Sequence, residues 1–272
     1  MALVGIGGKP YLNLEHYIDP ALLVAVDDEI TNGLPEVDVS YTGGSHKWMG
    51  IVPPSLAEDD YADYGRVLEA MSDTDFARFI ELSDTPYRYR VEDRAEYTFG
   101  EEQDHPLSRR QMLFLKYKFG VYFPWKIFYQ FIPVEYWDEK STGDSKFIKR
   151  EARQLFPLTC ELIESLPFKE IGRCNLMGLE ANDHGTVHRD GDPLEKTEVD
   201  HFITLCPRGN KRLFLWDEEE RKGTPVEGRV YWFNDSDYHG VAAAPFFQYS
   251  LRVDGIFTPG FLDELLQKNA SR

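Results

Sequence analysis

The chain has 272 residues, of which 42% are apolar, 28% charged and an unusually high 14% aromatic. That composition suits a folded protein with a sizeable core and argues against disorder. The net charge of −17 repels phosphate backbones, which speaks against nucleic acid as a partner. No apolar run approaches the roughly 18 residues of a membrane span.

Met1-Ala2-Leu3-Val4-Gly5-Ile6 lacks the basic start of a secretion signal. The three cysteines, Cys160, Cys174 and Cys206, are odd in number and lack metal-type spacing. They read as reduced residues of a cytoplasmic protein.

Residues 1–50 are rich in turn formers, with short apolar pieces such as Leu22–Val26 and a loop at Thr42-Gly43-Gly44-Ser45. Ser55-Leu56-Ala57-Glu58 reads as a capping box that opens a helix toward Met71. A second short helix is expected over Thr74–Leu82. Asp84–Asp104 is polar, tyrosine-rich and without clear period, as in a surface loop or a lid. Leu107–Phe119 reads as a helix and Phe128–Ile132 as a strand. From Ser145 to Leu166 one apolar stripe (Ile148, Ala152, Leu155, Phe156, Thr159, Leu162, Ile163, Leu166) predicts a single helix packed on a sheet and stopped by Pro167.

After Pro167 the chain changes character. Strand patterns recur over Cys174–Leu179, Gly185–His188, Val199–Leu205, Arg212–Trp216, Gly228–Phe233, His239–Ala243 and Phe247–Phe257. Arg208-Gly209-Asn210 is a hairpin signal and Asn234-Asp235-Ser236-Asp237 a polar loop. Phe261–Lys268 forms a short closing helix. Many short strands at this spacing predict a β-sandwich or barrel. No Pro/Gly/Ser linker divides the chain, so one domain over 1–272 is expected. Its parts are a helix-rich 1–170, a β core at 171–258 and a C-terminal helix at 259–272.

The chemistry concentrates in the second half. His188 and Asp190 stand two apart at the end of a strand pattern, and i and i+2 share a strand face. His239 is the best source of a third ligand. Two histidines and a carboxylate make the facial set that leaves open positions on Fe(II). Those positions suit a 2-oxo acid and dioxygen. Further on, Tyr249, Leu251 and Val253 share one strand face, and Ser250, Arg252 and Asp254 the other. A guanidinium on an apolar strand needs an anion. Asp254 is a structural partner for it; a ligand carboxylate is the functional one. Asn175 and Met177 share a face of the strand before His188, where they either line the pocket or pack in the core. Gly191–Glu198 is placed to act as a lid. Trp216, Trp232, His184 and His201 read as structural or solvent-facing.

His188-Arg189-Asp190, then His239, then Arg252, within a β-rich half, resembles the Fe(II)/2-oxoglutarate-dependent oxygenases over roughly residues 171–258. The resemblance implies an α+β chain, mainly β, with a double-stranded β-helix (jelly-roll, cupin-like) core braced by N-terminal helices. It implies Fe(II) held by His188, Asp190 and His239. The distal carboxylate of 2-oxoglutarate would go to Arg252, assisted by Ser250. Dioxygen would be the oxidant, with succinate and CO2 released. Members that halogenate typically carry Ala or Gly in place of the carboxylate, so Asp190 favours hydroxylation. The expected substrate is an amino acid, a peptidyl residue or a small natural product, not nucleic acid and not a membrane. Two other readings stay open: a metal hydrolase or isomerase on a cupin-like barrel, and a non-catalytic binding module.

Overall fold

The computed structural model describes residues 5–38, 51–56, 64–84, 94–95, 107–121, 123, 127–134 and 139–270. The Thr42–Ser45 loop, the Ala57-Glu58 end of the expected capping box and most of Asp84–Asp104 lie outside those residues. Among them, no helix is long and apolar enough to cross a membrane.

The chain combines helices with two antiparallel sheets. Asp19 accepts from the Ala21 N–H, and Pro20 sets the first turn of α1 (Pro20–Gly33). This helix was not foreseen from its apolar piece Leu22–Val26. Its stripe of Leu23, Val26 and Ile30 is fully buried. The helices α2 (Tyr64–Ala70), α3 (Asp73–Glu81) and α4 (Arg109–Phe119) gather a separate apolar cluster around Leu68, Phe76, Phe79, Leu115 and Phe123. Ser108 and Gln111 close a reciprocal capping box on α4. Ser55, expected to cap a helix, donates its hydroxyl and its backbone N–H to Glu218; the Glu58 side of that expected cap lies outside the described residues.

The single helix expected over Ser145–Leu166 is two, α5 (Arg150–Leu155) and α6 (Pro157–Ser165). Proline has no N–H and crowds the preceding turn, so Phe156 leaves the helical region (φ −131°, ψ 52°) at the junction. Glu29 of α1 accepts from the Leu158 and Thr159 N–H groups at 2.8 and 2.7 Å, supplying the cap α6 lacks. The Phe156 ring fills the space where Gly33 has no side chain. The last helix is α7 (Pro259–Ala270).

The strands are β1 (Tyr11–Asn13), β2 (Ile127–Ile132), β3 (Phe168–Leu179), β4 (Gly185–His188), β5 (Phe202–Leu205), β6 (Leu213–Asp217), β7 (Lys222–Pro225), β8 (Val230–Phe233), β9 (His239–Val241) and β10 (Gln248–Phe257). One sheet has the order β1-β8-β5-β10-β3-β2, the other β4-β9-β6-β7. From β3 onward the chain passes from one sheet to the other at every connection but one, the β6–β7 hairpin. Arg208-Gly209-Asn210 therefore makes a crossing and not a hairpin, because β5 and β6 belong to different sheets. Gly209 serves that sharp turn with a left-handed φ of +69°.

The outer face of the larger sheet packs on helices. Tyr249, Leu251 and Val253 of β10 are fully buried in one cluster with Leu23, Ile30, Phe156 and Ile163. Tyr249 donates its hydroxyl to Asp27 of α1 at 2.6 Å. The other face of β10 presents Ser250, Arg252 and Asp254, all buried. The three cysteines are free and buried.

Candidate metal centre

His188 closes β4, and the register sets it directly opposite His239 of β9. Side chains opposed across an antiparallel pair are near neighbours, and the two imidazoles lie 4.6 Å apart by ring centroids. The turn after His188 is held on both sides. Arg189 exchanges two backbone hydrogen bonds with Ile51, at 2.8 and 3.0 Å, and Asp190 N–H donates to the Asp235 carbonyl at 2.8 Å. Asp190 thus returns to the side of the two histidines. Its Oδ1 lies 3.4 Å from His188 Nε2 and 3.8 Å from His239 Nε2. One ligand atom from each of the three residues falls within 4.8 Å of the others.

Both imidazoles are aimed by the backbone. His188 Nδ1 bonds the Thr186 carbonyl at 2.8 Å, and His239 Nδ1 bonds the Asp237 carbonyl at 2.9 Å. A carbonyl only accepts, so each Nδ1 carries a proton and each ring turns its Nε2 inward toward Asp190. Phe233 packs its ring edge-on to His239, 4.8 Å between centroids. Burial, followed by the charge of His188, pushes His239 down to about 3, so it is neutral and free to ligate. His188 moves the other way. Burial is the largest single influence and opposes its protonation, but the hydrogen bond to Asp190, the charge of Asp190 and the Thr186 carbonyl together outweigh it. Asp190 itself stays well below the usual carboxylate range; burial opposes that, and His188, His239 and Arg252 overcome it. The three groups together favour a positive charge between them. Two neutral-capable imidazoles and an anionic oxygen, oriented through their outer atoms, fit a divalent transition metal such as iron.

Beyond the three lies a buried network of charges. Arg252 donates from Nη1 to Asp190 Oδ2 at 3.2 Å, from Nη2 to Asp235 Oδ2 at 2.7 Å and from Nε to Asp254 Oδ1 at 2.9 Å. Its flat face covers the Phe202 ring at 3.7 Å. Arg173 donates twice to Asp254 Oδ2, at 2.9 and 2.8 Å. Lys140 and Lys196 hold Asp200 at 2.6 and 3.0 Å and approach Asp235 at 3.6 and 3.5 Å. Lys196 belongs to the Gly191–Glu198 loop, so that expected lid is tied to the network, while Leu194 in the same loop is 73% exposed.

The other expected residues fall as follows. Asn175 pairs with Arg252 and Met177 with Ser250 in the β3–β10 register, so both share the inner sheet face. Ser250 is fully buried and accepts from Lys211 Nζ at 2.6 Å. His201 stacks on Phe257 and accepts from its N–H, a structural role. Trp232 is core, with its indole N–H on the Asp200 carbonyl. Trp216 is half-buried and donates to Glu218. Sequence reasoning missed Asp235, Lys140 and Lys196 of this network and Lys211 beside Ser250. Asp235 sits in what reads as a solvated loop, yet Asn234, Asp235 and Ser236 are all buried. Only the buried Arg252 hinted that more than one carboxylate was needed nearby.

No family model matches the sequence, and no curated protein matches it by sequence. Solved structures similar to the chain include an oxidoreductase of the 2OG-Fe(II) oxygenase family from Burkholderia pseudomallei, with a TM-score of 0.30 and 10% identity over 47% of this chain and 66% of that one. A Pseudomonas putida prolyl-4-hydroxylase gives a TM-score of 0.24 and 14% identity over 39% of this chain and 64% of its own. The viral collagen prolyl hydroxylase of Paramecium Bursaria Chlorella virus-1 gives 0.26 and 10% over 47% and 77%. The chain thus spans about two thirds of the first two structures.

Proposed function

We propose that the protein is an Fe(II)- and 2-oxoglutarate-dependent dioxygenase that hydroxylates an unactivated C–H of an amino acid, a peptidyl residue or a small natural product. The observation that carries this reading is the convergence of His188 Nε2, His239 Nε2 and Asp190 Oδ1, with both imidazoles aimed by backbone carbonyls. Alternation of strands between two sheets, in the orders given above, supports reading the core as a double-stranded β-helix. Iron held by these three residues supplies oxidation of a C–H bond coupled to decarboxylation of 2-oxoglutarate to succinate and CO2.

The chain's own share is geometric. Thr186 and Asp237 carbonyls fix the two rings, and Arg252 occupies Asp190 Oδ2 and leaves Oδ1 to the histidines. Phe233 and Phe202 flank the polar groups with aromatic surface, which limits water near the reacting centre. The Gly191–Glu198 loop lies beside the ligand turn and is the natural place for substrate contact.

The test is anaerobic addition of Fe(II) and 2-oxoglutarate to the purified chain, followed by air with a panel of amino acids and peptides. A visible charge-transfer band, and succinate release that His188→Ala abolishes, are expected. Bound metal without a band would replace this reading with a metal hydrolase or isomerase.

A further inference from the structure

The resemblance gives one cation, Arg252, the task of receiving the co-substrate's distal carboxylate. The geometry around it is that of a residue already employed. A guanidinium offers its donors at the edges of a plane. Here Nε, Nη1 and Nη2 each meet a carboxylate of the chain, at 2.9, 3.2 and 2.7 Å, and the flat face covers Phe202. A ligand carboxylate at this point would be a fourth anion around one guanidinium, three of whose five N–H groups already go to carboxylates of the chain. Arg252 does something else well. It ties up one oxygen of Asp190 and leaves the other, 3.4 and 3.8 Å from the two Nε2 atoms, in place to ligate. Asp235 and Asp254 in turn hold the guanidinium from two further sides.

A second cation faces the same interior. Lys211 enters from the crossing between β5 and β6, and its Nζ donates to Ser250 Oγ at 2.6 Å. Ser250 precedes Arg252 by two residues on the same face of β10. That is one pleat repeat, about 7 Å along the strand, a separation on the scale of a five-carbon diacid that chelates metal through its oxo-acid end. Thr204 pairs with Arg252 across β5 and β10, so it shares this inner face. Its hydroxyl is buried and has no hydrogen-bond partner among the described residues. A buried hydroxyl of this kind costs free energy until an acceptor or donor meets it. Burial, and after it the charge of Arg252, pushes Lys211 down to about 8; an arriving carboxylate would counter both influences.

We propose that the two cations have separate tasks: Arg252 is a positioning residue that holds Asp190 in its ligating pose, and Lys211, with Ser250 and Thr204, receives the distal carboxylate of the 2-oxo diacid. The second half rests on the oxygenase reading; the first needs only a metal.

Co(II) serves as a spectroscopic stand-in for iron, so no turnover is required. Wild type, Arg252→Gln, Arg252→Lys and Lys211→Met are titrated with Co(II) alone, then as Co(II)-loaded proteins with 2-oxoglutarate. Arg252→Gln is expected to bind Co(II) roughly ten- to a hundredfold more weakly, as for other residues that orient a ligand. Arg252→Lys should fall between, because it keeps the charge and loses the planar fork. Lys211→Met should bind Co(II) like wild type and 2-oxoglutarate roughly tenfold or more weakly. The reverse pattern overturns the proposal: full Co(II) affinity with lost 2-oxoglutarate binding in the Arg252 variants makes Arg252 the clamp. Wild-type 2-oxoglutarate affinity in Lys211→Met removes Lys211 from the ligand. Should Arg252→Gln fail to fold, Arg252→Lys and Lys211→Met decide alone. If wild type takes Co(II) but no 2-oxoglutarate, the oxygenase reading fails and the Lys211 assignment falls with it. The Co(II) titrations then still judge Arg252.

Discussion

The two faces of β10 are equally dry and differently built. Tyr249, Leu251 and Val253 turn outward onto α1, α5 and α6, while Ser250, Arg252 and Asp254 turn inward, and all six are buried. The outer face is held by apolar burial, about 2 kcal/mol for a side chain such as Leu251. The inner face gains little net free energy from its ion pairs, because desolvation offsets most of their attraction. It gains direction instead. Each carboxylate has a fixed partner, and one of them, Asp190, is thereby left with a single oxygen for the histidines. One strand thus separates the element that keeps the fold from the element that shapes the site.

The comparison breaks most easily at Asp254. Its two oxygens face Arg173 and Arg252, so Asp254→Ala leaves two buried guanidinium groups without their shared anion. A loss of about 3–5 kcal/mol is expected, measured by urea unfolding, together with weaker Co(II) binding through the loosened Arg252. On the opposite face Leu251→Ala should cost about 2–5 kcal/mol through its cavity and leave Co(II) affinity near wild type. Equal damage to Co(II) binding by both substitutions would erase the distinction between the faces.

Acid should find the inner face first. In Asp254 burial opposes ionisation, but Arg173, Arg252 and Lys140 outweigh it and hold the folded carboxyl below its ordinary value. The unfolded chain, with Asp near 3.9, therefore takes up the proton first. The stability Asp254 contributes is complete above about pH 4 and is lost as pH falls toward the lower folded value. Asp200 acts in the same direction through Lys140 and Lys196, whereas burial raises Asp235 and offsets part of the loss. Urea midpoints of the metal-free protein should drop from pH 6 to about pH 2.5, with a shallower slope in Asp254→Asn and an unchanged one in Leu251→Ala. The smallest effect belongs to neither face. Ser72→Ala removes the side-chain cap of α3 and should cost about 1 kcal/mol, with Co(II) binding intact.

Legibility followed the range of the interaction. His188 and Asp190 were readable together because two residues along a strand end decide their common side. Leu107–Phe119 and the closing helix were readable from local period. Leu22–Val26 was not, because Asp27 and Asp28 interrupt the stripe before Ile30 completes it. The Ser145–Leu166 stripe is continuous in its apolar pattern, yet Pro157 breaks the backbone beneath it. The strand β7, Lys222-Gly223-Thr224-Pro225, has no strand signal; an edge position tolerates its Gly and Pro.

From sequence alone came the order of the three candidate metal ligands, the switch from helical to strand period after Pro167 and the two-sided pattern of β10. Only the tertiary structure decided which sheet each strand joins, that the Asp235 loop is buried, and that Arg252 meets three carboxylates while Lys211 meets Ser250. The reason is physical. Alternation along a strand tells which side a residue takes, a property of its own backbone. Which charges wait on that side depends on the crossings between sheets, and those are set by packing across the whole chain.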